Sequence, residues 1–350
     1  MIKTSIIWFK TDLRLFDNET ISIAIAESAQ VIPIYFFNDA HYKTSEFGFK
    51  KTGNFRTPFL LESLVDLNRE LEKLGSGLLV LQGAPEIEIS KIVRKYNVSA
   101  IYTEEEVGIE ELRTQILVED ELKKFNCVVN ITHTHNLYQP QNLPFEIENI
   151  PNVFTDFRKK VESNSNVEDI FDRPIKVSTP KNLLFNLPSL ASLGLENVNK
   201  DARSVIDFKG GSFAAHERLQ QYFFQDKHLS TYKETRNGMI GADYSSKFSA
   251  WLALGCISPR EIYHQIKKYE NQFGANDSTY WLVFELLWRD YFWLMMKKYG
   301  AKFFQLNGIR KKLIPIPEDQ DQAKINKWVN GETGNRFIDA NMQELSLLDF

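Results

Sequence analysis

The first 132 residues alternate short apolar runs with stretches of helical periodicity, and that alternation limits the fold more than any other feature of the chain. Ser5 to Phe9 and Val31 to Phe37 are apolar, β-branched runs of strand length, as in strands covered on both faces. Leu78 to Leu81, Ala100 to Thr103 and Cys127 to Thr132 repeat the pattern. Between the first two runs, Asn18 to Ala29 sets Ile21, Ile25 and Ala29 at helical spacing. Thr57-Pro58 reads as a cap with proline at the first helical position. The helix that follows carries Leu60, Leu61, Leu64, Leu67, Leu71 and Leu74 and stops at Gly75. Glu86 to Tyr96 and Glu110 to Phe125 are two more helices. Five strands joined by crossover helices predict a parallel, Rossmann-like α/β domain over residues 1–135.

Such sheets take ligands beyond the carboxyl ends of their strands, here Lys10, Asn38, Gly83 and the run Glu104-Glu105-Glu106. No Gly-x-Gly-x-x-Gly follows the first strand, and the acidic run would repel a pyrophosphate. The expected ligand is one rich in hydrogen-bond donors, or there is none.

Residues 136–208 have a different texture, with six of the chain's 12 prolines, Asn- and Ser-rich stretches and one short helix near Val153 to Glu162. They read as a connector wrapped over the surface. Residues 209–350 are helical in pattern, clearest at Phe213 to Phe224, Phe248 to Leu254, Pro259 to Tyr269, Thr279 to Tyr299 and Asp321 to Val329. The expectation is an α/β domain followed by an all-α domain.

A net charge of −4 excludes a coat of bulk positive charge, so any nucleic-acid contact needs a local patch. Cys127 and Cys256 stand far apart, as in a reducing compartment. The apolar start of the chain ends at Lys10, Asp12 and Arg14, unlike a signal peptide, and the greasiest window, Tyr280 to Met296, holds Glu285, Arg289 and Asp290. A soluble, cytoplasmic monomer without a membrane span is expected.

Three patterns carry candidate chemistry. Leu229 to Asn237 leads into Asp243-Tyr244-Ser245-Ser246-Lys247-Phe248-Ser249, a small-hydroxyl cluster at the start of a helix. Hydroxyls and free backbone N–H groups there suit a phosphate, and an ordinary serine cap explains the same residues. On the helix from Tyr280, 100° spacing sets Trp281, Glu285, Trp288 and Phe292 on one face. A carboxylate among flat aromatics suits a nucleobase read through its N–H edge, and an i,i+4 pair with Arg289 is the plainer reading. His133-x-His135 sets two imidazoles on one strand face without a third ligand, so a chance pair is favoured over a metal. There is no cysteine–histidine pair, nucleophile elbow or P-loop to support a hydrolase or kinase.

These stretches together resemble the photolyase/cryptochrome family, and its cryptochrome DASH branch most of all. Ile7-Trp8-Phe9-Lys10-Thr11-Asp12-Leu13-Arg14-Leu15-Phe16-Asp17-Asn18 is similar to the family's opening block, and Phe154-Thr155-Asp156-Phe157-Arg158-Lys159 to a connector motif of that branch. Leu229 to Arg260 resembles the flavin-binding signature. Glu285 to Asp290, and Thr333-Gly334 to Met342, resemble two further blocks.

The resemblance implies a light-driven flavoprotein that repairs cyclobutane pyrimidine dimers by electron transfer from reduced FAD, preferring single-stranded DNA. That activity is a carbon–carbon lyase. By matching position, Tyr232, Ser245, Ser246, Phe248 and Ser249 hold FAD, Glu285 binds the dimer's base edges and Trp288 packs against it. Arg236 and Met342 fall on the DNA side, and Glu106 matches a contact to a 5,10-methenyltetrahydrofolate antenna.

Two departures stand out. Where the family continues with Thr-Gly, an Asn-Arg-x-Arg run and further helices, Glu344-Leu345-Ser346-Leu347 runs into Leu348-Asp349-Phe350, so the FAD-binding domain is expected to be incomplete. The outermost tryptophan of the photoreduction relay falls, by ungapped count, on Glu318. Two other readings therefore stand beside repair: a blue-light receptor without repair activity, and an inactive fragment.

Overall fold

A computed structural model describes residues 2–46, 48–197, 203–239, 241–312 and 322–348. The sheet has five strands, all parallel: β1 (Ile2–Phe9), β2 (Ser28–Phe37), β3 (Leu79–Gln82), β4 (Ala100–Glu104) and β5 (Val128–Thr132), in the order β3-β2-β1-β4-β5. Four helices alternate with them: α1 (Glu19–Glu27), α2 (Arg56–Lys73), α3 (Pro85–Tyr96) and α4 (Ile109–Leu122). The period of two along a strand divides the core. Ile6 and Trp8 of β1 pack with Ile89, Ile92 and Val93 of α3 and with Val118 and Leu122 of α4. Ile7 and Phe9 face the other way, into a core that takes Ile21 and Ala24 of α1, Leu60, Leu64, Leu67 and Leu71 of α2, and then runs on into the later helices. The apolar texture of the strands thus follows from burial on both faces.

Element boundaries depart from expectation in identifiable ways. α2 begins at Arg56, and Thr57 does not cap it; its hydroxyl donates back to Gly53 O at 2.9 Å. β2 starts at Ser28, directly after α1, with no intervening loop. The stretch after β5 carries α5 (Phe154–Asn164) and isolated single turns. Beyond it come α6 (Ser212–Leu219), α7 (Tyr232–Thr235), α8 (Ser249–Ala253), α9 (Pro259–Phe273), α10 (Asp277–Tyr299), α11 (Gln322–Val329) and α12 (Arg336–Leu348). The helix expected from Phe213 to Phe224 is α6 followed by a π-helical turn, Gln220–Gln225. No sequence period announces such a turn. Glu318, where the relay tryptophan was sought, lies outside the described residues. No described helix is long and apolar enough to cross a membrane.

The sheet and the later helices meet through a buried polar clasp. Asp17, at φ +50°, accepts Ser258 Oγ at 2.5 Å and Arg260 Nε at 3.1 Å, with a further bond from Arg260 Nη2. Both members of the ion pair are fully buried. Arg14 donates to Gly255 O at 3.0 Å and to Thr134 O at 3.3 Å, and Leu13 N donates to Leu254 O at 3.1 Å. Gly255 has φ +64°, and a Cβ there would stand 1.9 Å from Thr11 O, so no other residue permits this approach. The opening motif Asp12-Leu13-Arg14…Asp17-Asn18 therefore seals a junction.

Candidate functional site

The acidic run at the end of β4 divides three ways. Glu104 is buried; its Oε1 accepts Thr134 N and Oγ1 at 3.2 and 2.7 Å, and burial, helped by Asp12, pushes its pKa up to about 7. Glu105 binds Lys297 and His133, which hold its pKa low against the upward push of burial. Glu106, to which Thr11 Oγ1 donates at 3.2 Å, lines a cavity of about 170 Å³ at the ends of β1 and β2, walled by Trp8, Lys10, Tyr35, Asn38 and Arg56. The expected ligand position beyond the strand ends is thus a real recess, at the switch between β1 and β4. Of the three carboxylates only Glu106 lines the recess, because Glu104 and Glu105 are already partnered elsewhere.

Glu285, on α10, does not pair with Arg289. Its Oε1 lies 2.9 Å from Nη1 of Arg236, just beyond α7, and both side chains are half-open to solvent. The Arg236 guanidinium and the Lys233 ammonium stand over the Trp281 ring at 5.4 and 5.0 Å. The Trp281 Nε1–H is buried without a partner. Tyr232 sits beside this group; burial, and then the Glu285 charge, push its pKa up to about 12. Trp288, one turn on from Glu285, stacks on Phe154 at 3.6 Å and on the exposed Phe292 at 5.5 Å. Tyr232, Arg236, Glu285 and Trp281 thus form one aromatic, charged group, while Trp288, on the same helix, packs among Phe154, Phe284 and Phe292. Met342 lies on α12, whose described contacts are to α11 and to the turn before it, so it stands outside this group.

Arg289 turns the other way, and burial lowers its pKa. It donates to His135 O and, at 2.8 Å, to His135 Nε2, while the His135 ring stacks on Trp293. Asp290 accepts Leu137 N at 3.0 Å and Tyr138 N at 2.9 Å; burial raises its pKa to about 6. The two histidines do not share a strand face: β5 ends at Thr132, His133 goes to Glu105, and His135 is buried against Arg289. No metal-ligating group occurs among the described residues.

The hydroxyl cluster lies on the loop from Ala242 to Phe248 and the five-residue α8. Phe248 is buried and packs edge-on to Phe223 at 5.9 Å, and Ser249 is exposed. Among the described residues, the hydroxyls of Ser245, Ser246 and Ser249 and the peptide N–H groups of Asp243, Ser246 and Lys247 have no hydrogen-bond partner. The loop is held from behind by Arg218, which the sequence did not single out. Its Nε donates to Ser246 O at 3.1 Å, Nη1 to Asp243 Oδ1 at 2.7 Å, and Nη2 to Ala242 O and Ser245 O at 3.0 and 3.1 Å. Tyr222 connects the two groups, with its ring under Arg218 and its hydroxyl near Tyr232.

The sequence matches the DNA photolyase family over residues 5–178 and the FAD binding domain of DNA photolyase over residues 281–348. It is 44% identical over 349 residues to a cryptochrome DASH of Gloeobacter violaceus, covering 99% of this chain and 69% of that one. A cryptochrome DASH of Danio rerio is 44% identical over 357 residues, covering 99% and 68%. The crystal structure of a Synechocystis cryptochrome superposes with a TM-score of 0.93 at 40% identity, over 100% of this chain and 72% of that one. A class III photolyase from Agrobacterium tumefaciens, 21% identical, shares the fold with a TM-score of 0.79, over 99% of this chain and 69% of that one. With an α/β sheet joined to a helical FAD-binding region and this degree of identity, the chain belongs to the photolyase/cryptochrome family, in its cryptochrome DASH branch.

Proposed function

We propose that this chain binds FAD through the Ser245–Ser249 loop and uses light to repair cyclobutane pyrimidine dimers in DNA, with single strands preferred. The observation that carries the reading is the set of unpartnered donors on that loop: three serine hydroxyls and the peptide N–H groups of residues 243–249, with no protein acceptor among the described residues. A pyrophosphate would satisfy such a set. Held there by the Ser245–Ser249 loop, reduced FAD would supply the photochemical electron that opens the cyclobutane ring.

The chain's own residues do the rest. Glu285 accepts the N–H edges of a flipped dimer, and Arg236 occupies that carboxylate until the dimer arrives. Trp288, backed by Phe154, would wall the lesion with its other face once the exposed Phe292 swings off it. Extrusion is cheapest from a single strand, which favours that substrate.

Glu106 and the cavity beside it would take the pterin of a methenyltetrahydrofolate antenna, with N–H groups facing the carboxylate. At about 170 Å³ the recess is smaller than the roughly 300–1,000 Å³ of whole-ligand pockets, so the rest of the folate would lie outside it.

The test is Glu285→Gln in the purified chain, with flavin content and dimer repair on single-stranded DNA measured together. Unchanged flavin with weakened dimer binding is expected. Loss of flavin would refute the role of Glu285. Wild-type chain that holds FAD in the light yet never repairs a dimer would favour the receptor reading.

A further inference from the structure

We propose that Arg218 is the positioning residue that makes the flavin-phosphate cradle, by drawing three carbonyls of one loop to its own side and so turning their peptide N–H groups to the other. The inference rests on the FAD reading and says what builds that site.

Arg218 presents five N–H donors in a rigid plane and spends four bonds on residues 242–246. The carbonyls it takes are those of Ala242, Ser245 and Ser246. In a trans peptide the carbonyl and the N–H of the next residue point in opposite directions, and no described peptide bond is cis. The N–H groups of Asp243, Ser246 and Lys247 must then point away from the guanidinium. All three lack a protein acceptor, as do the other N–H groups from 243 to 249, and these three are the ones whose direction the guanidinium fixes. Lys247 has φ +61°, the left-handed conformation that closes an anion-binding nest.

The guanidinium is fixed on its other sides too. Arg218 is buried, and the Tyr222 ring lies 4.9 Å from its centre. Tyr222 comes from the π-helical turn after α6, so a local distortion of the helix supplies the floor on which the arginine rests. Asp243 takes up its charge at 2.7 Å. Arg218 therefore works on an anion through oriented backbone dipoles, without touching it. A lysine offers one point of attachment and cannot hold four acceptors in a plane.

The experiment uses the full chain with Arg218→Lys, Arg218→Gln and Asp243→Ala, and three probes: FAD, riboflavin and inorganic pyrophosphate. Affinities are read by calorimetry and flavin fluorescence, with thermal melting beside them. Both Arg218 variants are expected to lose about tenfold or more in affinity for FAD and pyrophosphate, and Asp243→Ala about threefold, while riboflavin binding stays level. A uniform loss across all three probes, or an Arg218→Lys protein that binds pyrophosphate as the wild type does, overturns the proposal. Should the Arg218 variants not fold, Asp243→Ala decides, and unchanged pyrophosphate affinity overturns it. Wild-type chain that binds pyrophosphate and not FAD, with the loss in the variants, supports the cradle while refuting the flavin reading. Binding of neither refutes both.

Discussion

Replacing Asp17 with asparagine asks how much one buried charge contributes to holding the sheet and the helices together. The backbone at this position has φ +50°, which asparagine adopts readily, so the substitution changes charge with little strain. Arg260 is fully buried, and its other carboxylate, Glu168, lies 3.5 Å away with a side chain 43% exposed. Taking the charge from Asp17 strands a guanidinium out of water, a loss of about 3–5 kcal/mol where buried pairs have been broken on one side. The Ser258 hydroxyl keeps a weaker acceptor, about 1 kcal/mol more. Urea unfolding followed by tryptophan emission should show a midpoint well below that of the wild type. The double substitution Asp17→Asn with Arg260→Met removes the stranded charge and should recover most of the loss. A single variant within about 1 kcal/mol of wild type, or a double variant less stable than the single, would refute the argument.

Three further outcomes are expected. Gly255→Ala places a Cβ 1.9 Å from Thr11 O at φ +64°, so it should abolish soluble expression or cost more than about 4 kcal/mol in chemical unfolding. Glu104 has a raised pKa, so its folded-state contribution is fully present below the ordinary carboxylate range and lost as pH rises through about 7. Glu104→Gln should therefore gain stability relative to wild type on going from pH 5 to pH 8, and equal differences at the two pH values would sink the idea. His216 bridges Ser212 O and Glu261 Oε1, and these acceptors outweigh burial and raise its pKa; His135, buried beside Arg289, is held well below the ordinary value. Proton NMR should show His216 titrating above 6.5 and His135 remaining neutral there, and the reverse order would contradict both environments.

The sheet was legible because parallel strands buried on both faces leave continuous apolar runs, and each of the five appears near its expected place. Boundaries were legible where a side chain makes the cap, as Ser258 does for α9, and misread where the same residue types bond backwards, as Thr57 does. The π-helical turn left no trace, since its buried Tyr222 and Phe223 suit an ordinary helix equally. At the site, α10 displayed Glu285 and Trp288 on one face, which helical spacing alone gives. Partners were not legible. Arg289 sits at the spacing of an i,i+4 pair, yet its acceptor is 154 residues away, and Arg236 reaches Glu285 from the residue just after α7. Arg218 acts on a loop 24 to 28 residues on through backbone atoms, and backbone atoms carry no residue code.

The bonds of Arg289 and Asp290 to residues 135–138 have a mechanical meaning beyond stability. They fasten α10, one turn past Glu285, to the chain leaving β5. No rotation of the sheet against that helix can begin until several buried bonds break together. The recess at Glu106 and the surface at Glu285 thus share one frame of reference. Resonance transfer of excitation depends on the angle between two transition dipoles as well as on their separation. A pigment held in the recess would keep a constant angle to one held beside α10, so that its coupling would be set by the fold and not averaged over wandering domains.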